Sequence, residues 1–240
     1  DPDLARTRDI VLALERCGVD IVELGLPFSD PLADGIVNQV AADRSLRAGT
    51  TTAKIIDFIR ELRRDTQIPL VLFTYLNPVY TYGFEKFHQD AAMAGADGVL
   101  LLDLPPDEAS QNSELIEHSG MKHIRLIAPT TPEERIKLIA SQSEGFIYYV
   151  SREGVTGMQT QLSSGIEAQV GLIRSHTKIP VAVGFGISTP EQAGAVARMA
   201  DAVVVGSAIV KLIGRHGQSP DLAAQLASFV KPLVDAVKAV

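Results

Sequence analysis

Seven short apolar runs limit what this chain can fold into more than any other feature. They are Asp20–Leu26, Leu70–Tyr75, Gly98–Leu102, His123–Ala128, Gly145–Val150, Val181–Gly184 and Ala202–Val205. A strand with one wet face alternates apolar and polar residues. A run apolar at nearly every position suits a strand covered on both faces, as in a parallel sheet. Between the runs the apolar residues recur at helical spacing. Ile10, Val11, Leu14 and Cys17 share one helical face, and Ile55, Ile56, Ile59 and Leu62 share another. Thr131-Pro132-Glu133-Glu134 and Thr189-Pro190-Glu191 read as helix starts. Each has a capping hydroxyl, proline in the first turn, and acid near the positive end of the helix dipole. A helix followed by repeated strand–helix units calls for parallel strands with right-handed crossovers. The expected fold is therefore α/β, a (β/α)8 TIM barrel forming a single domain over residues 1–240. Roughly 250 residues is typical of that fold. Eight strands require one more ahead of Asp1, so the first strand is expected to be missing from this sequence.

Composition excludes several classes of function. The net charge of −7, with no basic run, argues against a nucleic-acid partner. No apolar run reaches the roughly 18 residues of a membrane span, and no signal peptide is visible. The one cysteine, Cys17, lies on the apolar stripe of a helix and reads as a small buried hydrophobe. A reducing, cytoplasmic setting follows as the default. The histidines do not cluster with Cys or Asp in a metal-binding pattern. His88, His118, His176 and His216 read as helix-surface positions, and His123 as the start of a strand.

The chemistry is expected where strands end. The longest intervals follow Leu26 and Val150, and extra length after a strand falls on the C-terminal rim of a barrel, where active sites are placed. Past the last two strands come Gly184-Phe185-Gly186-Ile187-Ser188 and Gly206-Ser207-Ala208, the latter opening a helix. Small residues let backbone N–H groups approach an anion, and a helix start adds positive dipole. The pair reads as a phosphate site, with Gly157 as a further backbone donor. No Gly-Lys-Ser/Thr follows, so nucleotide hydrolysis is not indicated.

Two acids stand out. Glu23 interrupts an apolar strand, Ile21-Val22-Glu23-Leu24-Gly25. A carboxylate there is costly unless paired or functional, and burial moves it toward the range useful for general acid–base work. An ion pair or hydrogen bond to a neighbouring strand is the structural alternative. Asp34 ends the stiff loop Pro27-Phe28-Ser29-Asp30-Pro31-Leu32-Ala33-Asp34-Gly35. It reads either as turn chemistry or as a partner for a substrate N–H or developing cation. The segment Ser151-Arg152-Glu153-Gly154-Val155-Thr156-Gly157 reads as a hinged loop or as an ordinary surface one.

The run from Val22 through Gly35, with Ser151–Gly157, Gly184–Ser188 and Gly206–Lys211 following in order, resembles the tryptophan synthase alpha chain family over essentially the whole sequence. The resemblance implies a lyase that splits indole-3-glycerol phosphate into indole and glyceraldehyde 3-phosphate. By the resemblance, Glu23 is the catalytic glutamate, and Asp34 holds the indole N–H and favours positive charge on the ring. Tyr148, with Tyr149 beside it, lies near the glycerol phosphate chain. Thr156 bonds the loop aspartate when its own loop closes. Gly157, Gly186, Gly206 and Ser207 contact phosphate, and Phe185 lies beside the indole. Asp30, Asn77 and Pro105 fall where the family meets its beta subunit in an alpha2beta2 complex. The resemblance implies no cofactor in this chain and pyridoxal phosphate in the partner. One departure is local: the family usually has proline after this Asp-Gly, and here Ile36 follows Gly35. Three other readings compete. One is another phosphate-binding barrel, such as an indole-glycerol phosphate synthase, a phosphoribosyl isomerase or a thiamine phosphate synthase. Another is a non-catalytic subunit that activates a beta-like partner. The third is a free-standing lyase that releases indole.

Overall fold

The structure, a computed structural model, describes residues 1–111, 118–151, 159–184 and 186–240. Its residues form two compact units, 1–123 with 210–228 and 124–209 with 229–240.

The first unit opens with α1 (Leu4–Arg16), capped by Asp3, whose carboxylate accepts the Arg6 N–H. Strand β1 (Val22–Gly25) follows, then α2 (Ile36–Arg47), α3 (Thr52–Leu62), β2 (Leu70–Thr74), α4 (Leu76–Tyr82), α5 (Phe84–Ala94), β3 (Gly98–Leu101) and α6 (Pro106–Gln111). β1 pairs with β2 and β2 with β3, both parallel, with Glu23 level with Val71 and Val71 level with Gly98. Every predicted helical-stripe residue is buried: Ile10, Val11, Leu14 and Cys17 on α1 and its cap, and Ile55, Ile56, Ile59 and Leu62 on α3.

Strand β4 (Lys122–Ile127) leads into the second unit, which holds α7 (Glu133–Ser141), β5 (Ile147–Val150), α8 (Gln159–His176), β6 (Val181–Gly184), α9 (Pro190–Ala197) and β7 (Ala202–Val204). β4, β5, β6 and β7 pair in that order, all parallel. Ile127, Ile147, Tyr149, Val181 and Val183 form a core with Ile136, Ile139, Val170 and Ile173 of α7 and α8. The last helices are α10 (Ser207–His216) and α11 (Leu222–Lys238).

All seven predicted strands are present and each ends within a residue or two of its expected limit. Two local expectations are corrected. Thr131 does not cap α7. Its hydroxyl accepts the Ala128 N–H at 3.0 Å and the capping position falls to Pro132. Thr189 does cap α9, in a reciprocal box with Gln192.

The second correction concerns His88, which is not on the helix surface but fully buried. It lies in the stripe Phe84, Phe87, His88, Ala91 of α5 and stacks on buried His123, with ring centroids 5.0 Å apart. Its Nδ1 is 2.7 Å from the Phe84 carbonyl, which can only accept, so Nδ1 carries the proton. Neutral His88 then accepts at Nε2 from His123 Nε2–H, 3.1 Å away. Burial lowers the His88 pKa, against a smaller opposing effect of the Phe84 carbonyl. The unfolded chain therefore takes a proton more readily than the folded one. The stability tied to this pair is complete above the ordinary histidine value of about 6.5 and lost as pH falls toward the lowered one. Calorimetry should show a drop in Tm from about pH 7.5 to about pH 5.5 that is smaller, by a few degrees, in His88→Phe than in the parent.

Candidate active site

Glu23 sits in β1 with Val22 and Leu24, both buried, on the opposite face. The residue as a whole keeps some exposure, but its Oε1 is shut off from solvent and has no hydrogen-bond partner among the described residues. At Oε1, no ion pair or strand hydrogen bond is found among the described residues. Burial alone pushes the Glu23 pKa up from the usual carboxylate range to about 7. An acid poised at that value is readily present in both protonation states near neutrality.

The loop after β1 folds back on the end of β2. Tyr75, buried just past that strand, packs its ring on Phe28 with centroids 5.4 Å apart. Its hydroxyl donates to Asp34 Oδ2 at 2.9 Å and accepts the Ala33 N–H at 3.0 Å. Burial first, and then the Asp34 carboxylate, raise the phenol pKa, so Tyr75 remains a proton-bearing donor. The first turn of α2 completes the setting. Asn38 Nδ2 donates to Asp34 Oδ1 at 3.1 Å, and Gln39 Nε2 donates to the Asp34 backbone carbonyl at 2.8 Å. Gly35 is the N-cap of α2, and Ile36, standing where the family usually has proline, is the first helical residue and 70% exposed. Asp34 is thus held by three side chains, which a simple turn residue does not require. Tyr75→Phe removes one donor from Asp34 and the acceptor from Ala33. Turnover should fall roughly tenfold with the fold intact, as read from steady-state kinetics beside a circular dichroism melt.

Sequence reasoning does not single out Tyr75, Asn38 or Gln39. The signals it offers are an aromatic at a strand end and amides one helical turn beyond Asp34.

The second unit supplies the glycine-rich turns. Gly184 of β6 is level with Val204 of β7, and Gly186 and Gly206 each stand two residues further on. They therefore occupy matching positions past neighbouring strand ends, and both are exposed. Gly186 has φ of 51°, the left-handed region that favours glycine. Ser207 is exposed and opens α10, a ten-residue helix. Tyr148 of β5 is level with Ala182 of β6. Its ring lies so close to Gly184 that a Cβ there would fall 2.6 Å from Tyr148 Cε2. Tyr149 is buried in the helix-side core, which leaves Tyr148 as the tyrosine facing the glycine turn. Thr156, Gly157 and Phe185 lie outside the described residues.

Asp30 and Asn77 are exposed, in the loop after β1 and at the start of α4 respectively, and Pro105 is half-buried ahead of α6. They follow three successive strands, in company with exposed Leu32 and Tyr80.

Parallel strands alternating with helices, with a buried acid in one strand and glycine-rich turns past the ends of others, fit the layout of a (β/α)-barrel enzyme. Comparison with known proteins makes this specific. A family model described as tryptophan synthase alpha chain matches residues 1–238. The tryptophan synthase alpha chain of Geobacter sp. (strain M21) is 48% identical over 237 residues, covering 99% of this chain and 88% of the relative. That of Geotalea uraniireducens (strain Rf4) is 49% identical over 240 residues, covering 100% of this chain and 90% of the relative. Among solved structures, tryptophan synthase subunit alpha from Legionella pneumophila str. Paris superposes with a TM-score of 0.90 at 35% identity, covering 98% of this chain and 88% of that one. The tryptophan synthase a2b2 complex from Pyrococcus furiosus contains a chain matching with a TM-score of 0.89 at 36% identity, covering 98% of this chain and 94% of that one. The chain belongs to the tryptophan synthase alpha chain family, TIM-barrel lyases of tryptophan biosynthesis. Among the described residues no helix is long and apolar enough to cross a membrane.

Proposed function

We propose that the chain cleaves the carbon–carbon bond of indole-3-glycerol phosphate by a retro-aldol reaction, releasing indole and glyceraldehyde 3-phosphate, with Glu23 as the proton shuttle. The observation that carries this reading is the Glu23 carboxyl: buried in a strand, without a hydrogen-bond partner among the described residues at Oε1, and titrating at about 7. A structural carboxylate would be paired or solvated.

In the proposed sequence, a proton adds to C3 of the indole ring and leaves positive charge on the ring nitrogen. Asp34 accepts the ring N–H and favours that charge electrostatically. Glu23 then takes the proton of the adjacent glycerol hydroxyl. The carbonyl forms as the bond from C3 to the hydroxyl-bearing carbon breaks, and its electron pair restores the neutral aromatic indole. A carboxyl that titrates near neutrality serves both as the acid for C3 and as the base for the hydroxyl. Gly157, Gly186, Gly206 and Ser207 hold the phosphate, and Tyr148 and Phe185 flank the rest of the substrate. Binding of the unreacting phosphate holds the reacting carbon in place. Every step is a proton transfer or a bond cleavage driven by the ring, so the chain is proposed to work without a cofactor of its own.

The partner is proposed to be a tryptophan synthase beta subunit carrying pyridoxal phosphate. It would meet this chain at Asp30, Asn77 and Pro105, in an alpha2beta2 assembly of the kind described for Pyrococcus furiosus. The setting is proposed to be the cytoplasm, consistent with a free, buried cysteine. The test is Asp34→Asn. Turnover should fall on the order of a hundredfold or more, while the Kd for glycerol 3-phosphate, measured by calorimetry, changes less than threefold. Equal losses in both would move Asp34 to a structural role.

A further inference from the structure

Resting on the reading of Asp34 as the carboxylate that faces the indole nitrogen, we propose that Asn38 is a positioning residue that fixes the plane of that carboxylate. A carboxylate has two oxygens and about four acceptor positions. Here each oxygen takes one donor: Tyr75 O–H on Oδ2 at 2.9 Å and Asn38 Nδ2–H on Oδ1 at 3.1 Å. The donors come from different elements, one from the end of β2 and one from the first turn of α2. A single donor leaves a carboxylate free to pivot about the bond to its Cβ. Two donors on opposite oxygens stop that rotation and leave one acceptor position open on each oxygen. The neighbouring residue, Gln39, holds the Asp34 backbone carbonyl at 2.8 Å, so one helical turn fixes both main chain and side chain.

The other end of the Asn38 amide shows that this is its task. Its Oδ1 is shut off from solvent and takes no hydrogen bond from any described residue. Turning the amide over would set that carbonyl against the carboxylate, oxygen to oxygen, so Asp34 alone dictates how Asn38 is oriented. An apolar side chain would fill the same space without leaving a buried acceptor unmet. Asparagine is also a poor helix former. The amide is costly to the fold at this position, and the bond it makes to Asp34 is what it gives in return.

The test uses the full chain and three readouts. Asn38→Leu, close in volume and without the donor, should lower kcat/KM for indole release about tenfold, as expected for one lost charge-assisted hydrogen bond. The Kd for glycerol 3-phosphate should stay within twofold. The Kd for a non-cleavable probe, an indole carrying a 3-alkyl phosphate, should weaken at least threefold. Asn38→Asp sets a second carboxylate against the first, and two like charges that close share a proton. Asn38→Asp should therefore lose at least as much kcat/KM and probe affinity as Asn38→Leu, with the Kd for glycerol 3-phosphate again within twofold. Wild-type kcat/KM and probe affinity in Asn38→Leu would overturn the proposal, as would a loss equally large for glycerol 3-phosphate. If the parent chain binds the probe but releases no indole, the lyase reading fails. The ratio of probe affinities still decides the role of Asn38. A parent chain that does not bind the probe overturns both.

Discussion

Replacing Glu23 with glutamine is expected to make the protein inactive and, above neutrality, more stable. Glutamine keeps the shape of the side chain but neither donates nor accepts the shuttled proton, so indole release should fall about a thousandfold or more. The stability effect follows from the same burial. The Glu23 pKa rises from 4.5 to about 7 on folding, because the charged form is shut off from water. The folded state therefore holds its proton more tightly than the unfolded state. The associated stability is fully present below about pH 4.5 and is lost as pH rises through about 7. At about pH 8 the parent carries a desolvation cost on the order of 3 kcal/mol that the variant lacks. Urea melts should show Glu23→Gln gaining on the parent between about pH 5 and about pH 8. A carboxylate kept only for structure gives the opposite outcome, with stability lost on substitution at every pH. Together the two effects separate a catalytic acid maintained at the expense of the fold from a buried structural one.

The second large effect is expected at Gly184. A methyl group there would fall 2.6 Å from Tyr148 Cε2 and 2.9 Å from Tyr148 Cζ, closer than real Cβ contacts allow. Because β5 and β6 are hydrogen-bonded neighbours, the backbone cannot simply back away, so the tyrosine ring must move. Gly184→Ala should therefore lower kcat/KM about a hundredfold, a misplacement of about 1 Å being enough for such a loss. Overpacking should also cost about 1–3 kcal/mol of stability. Parent-like kinetics in Gly184→Ala would show that the Tyr148 position is immaterial to the reaction.

Much of this architecture is legible in the amino-acid sequence, and particular residues show why. The seven strands are legible because apolar runs without alternation have few other fates in a chain of this composition. The acid–base candidate is legible because Glu23 violates its own surroundings. The glycine turns past β6 and β7 are legible as a pair because they fall at the same distance from strands that lie side by side. Other features depend on partners distant in sequence. Thr131 and Thr189 have the same local signature, but the Ala128 N–H competes for the Thr131 hydroxyl and only Thr189 caps its helix. His88 has polar neighbours in Gln89 and Asp90, which suggests a surface position. Its spacing from Phe84, Phe87 and Ala91 places it on the buried stripe, and His123 supplies the partner that makes burial tolerable. The setting of Asp34 is the clearest case. Tyr75 lies 41 residues away from it, and no local pattern reveals that its hydroxyl reaches back to the loop.

The role of Glu23 is tested most directly by the pH dependence of indole release from indole-3-glycerol phosphate by the purified chain. Because kcat/KM reports ionisations of the free enzyme, its profile should show an inflection near 7, the value to which burial brings Glu23. That inflection should be absent from the residual rate of Glu23→Gln. No indole at any pH, or a Glu23→Gln profile that overlays the parent's, would contradict that role.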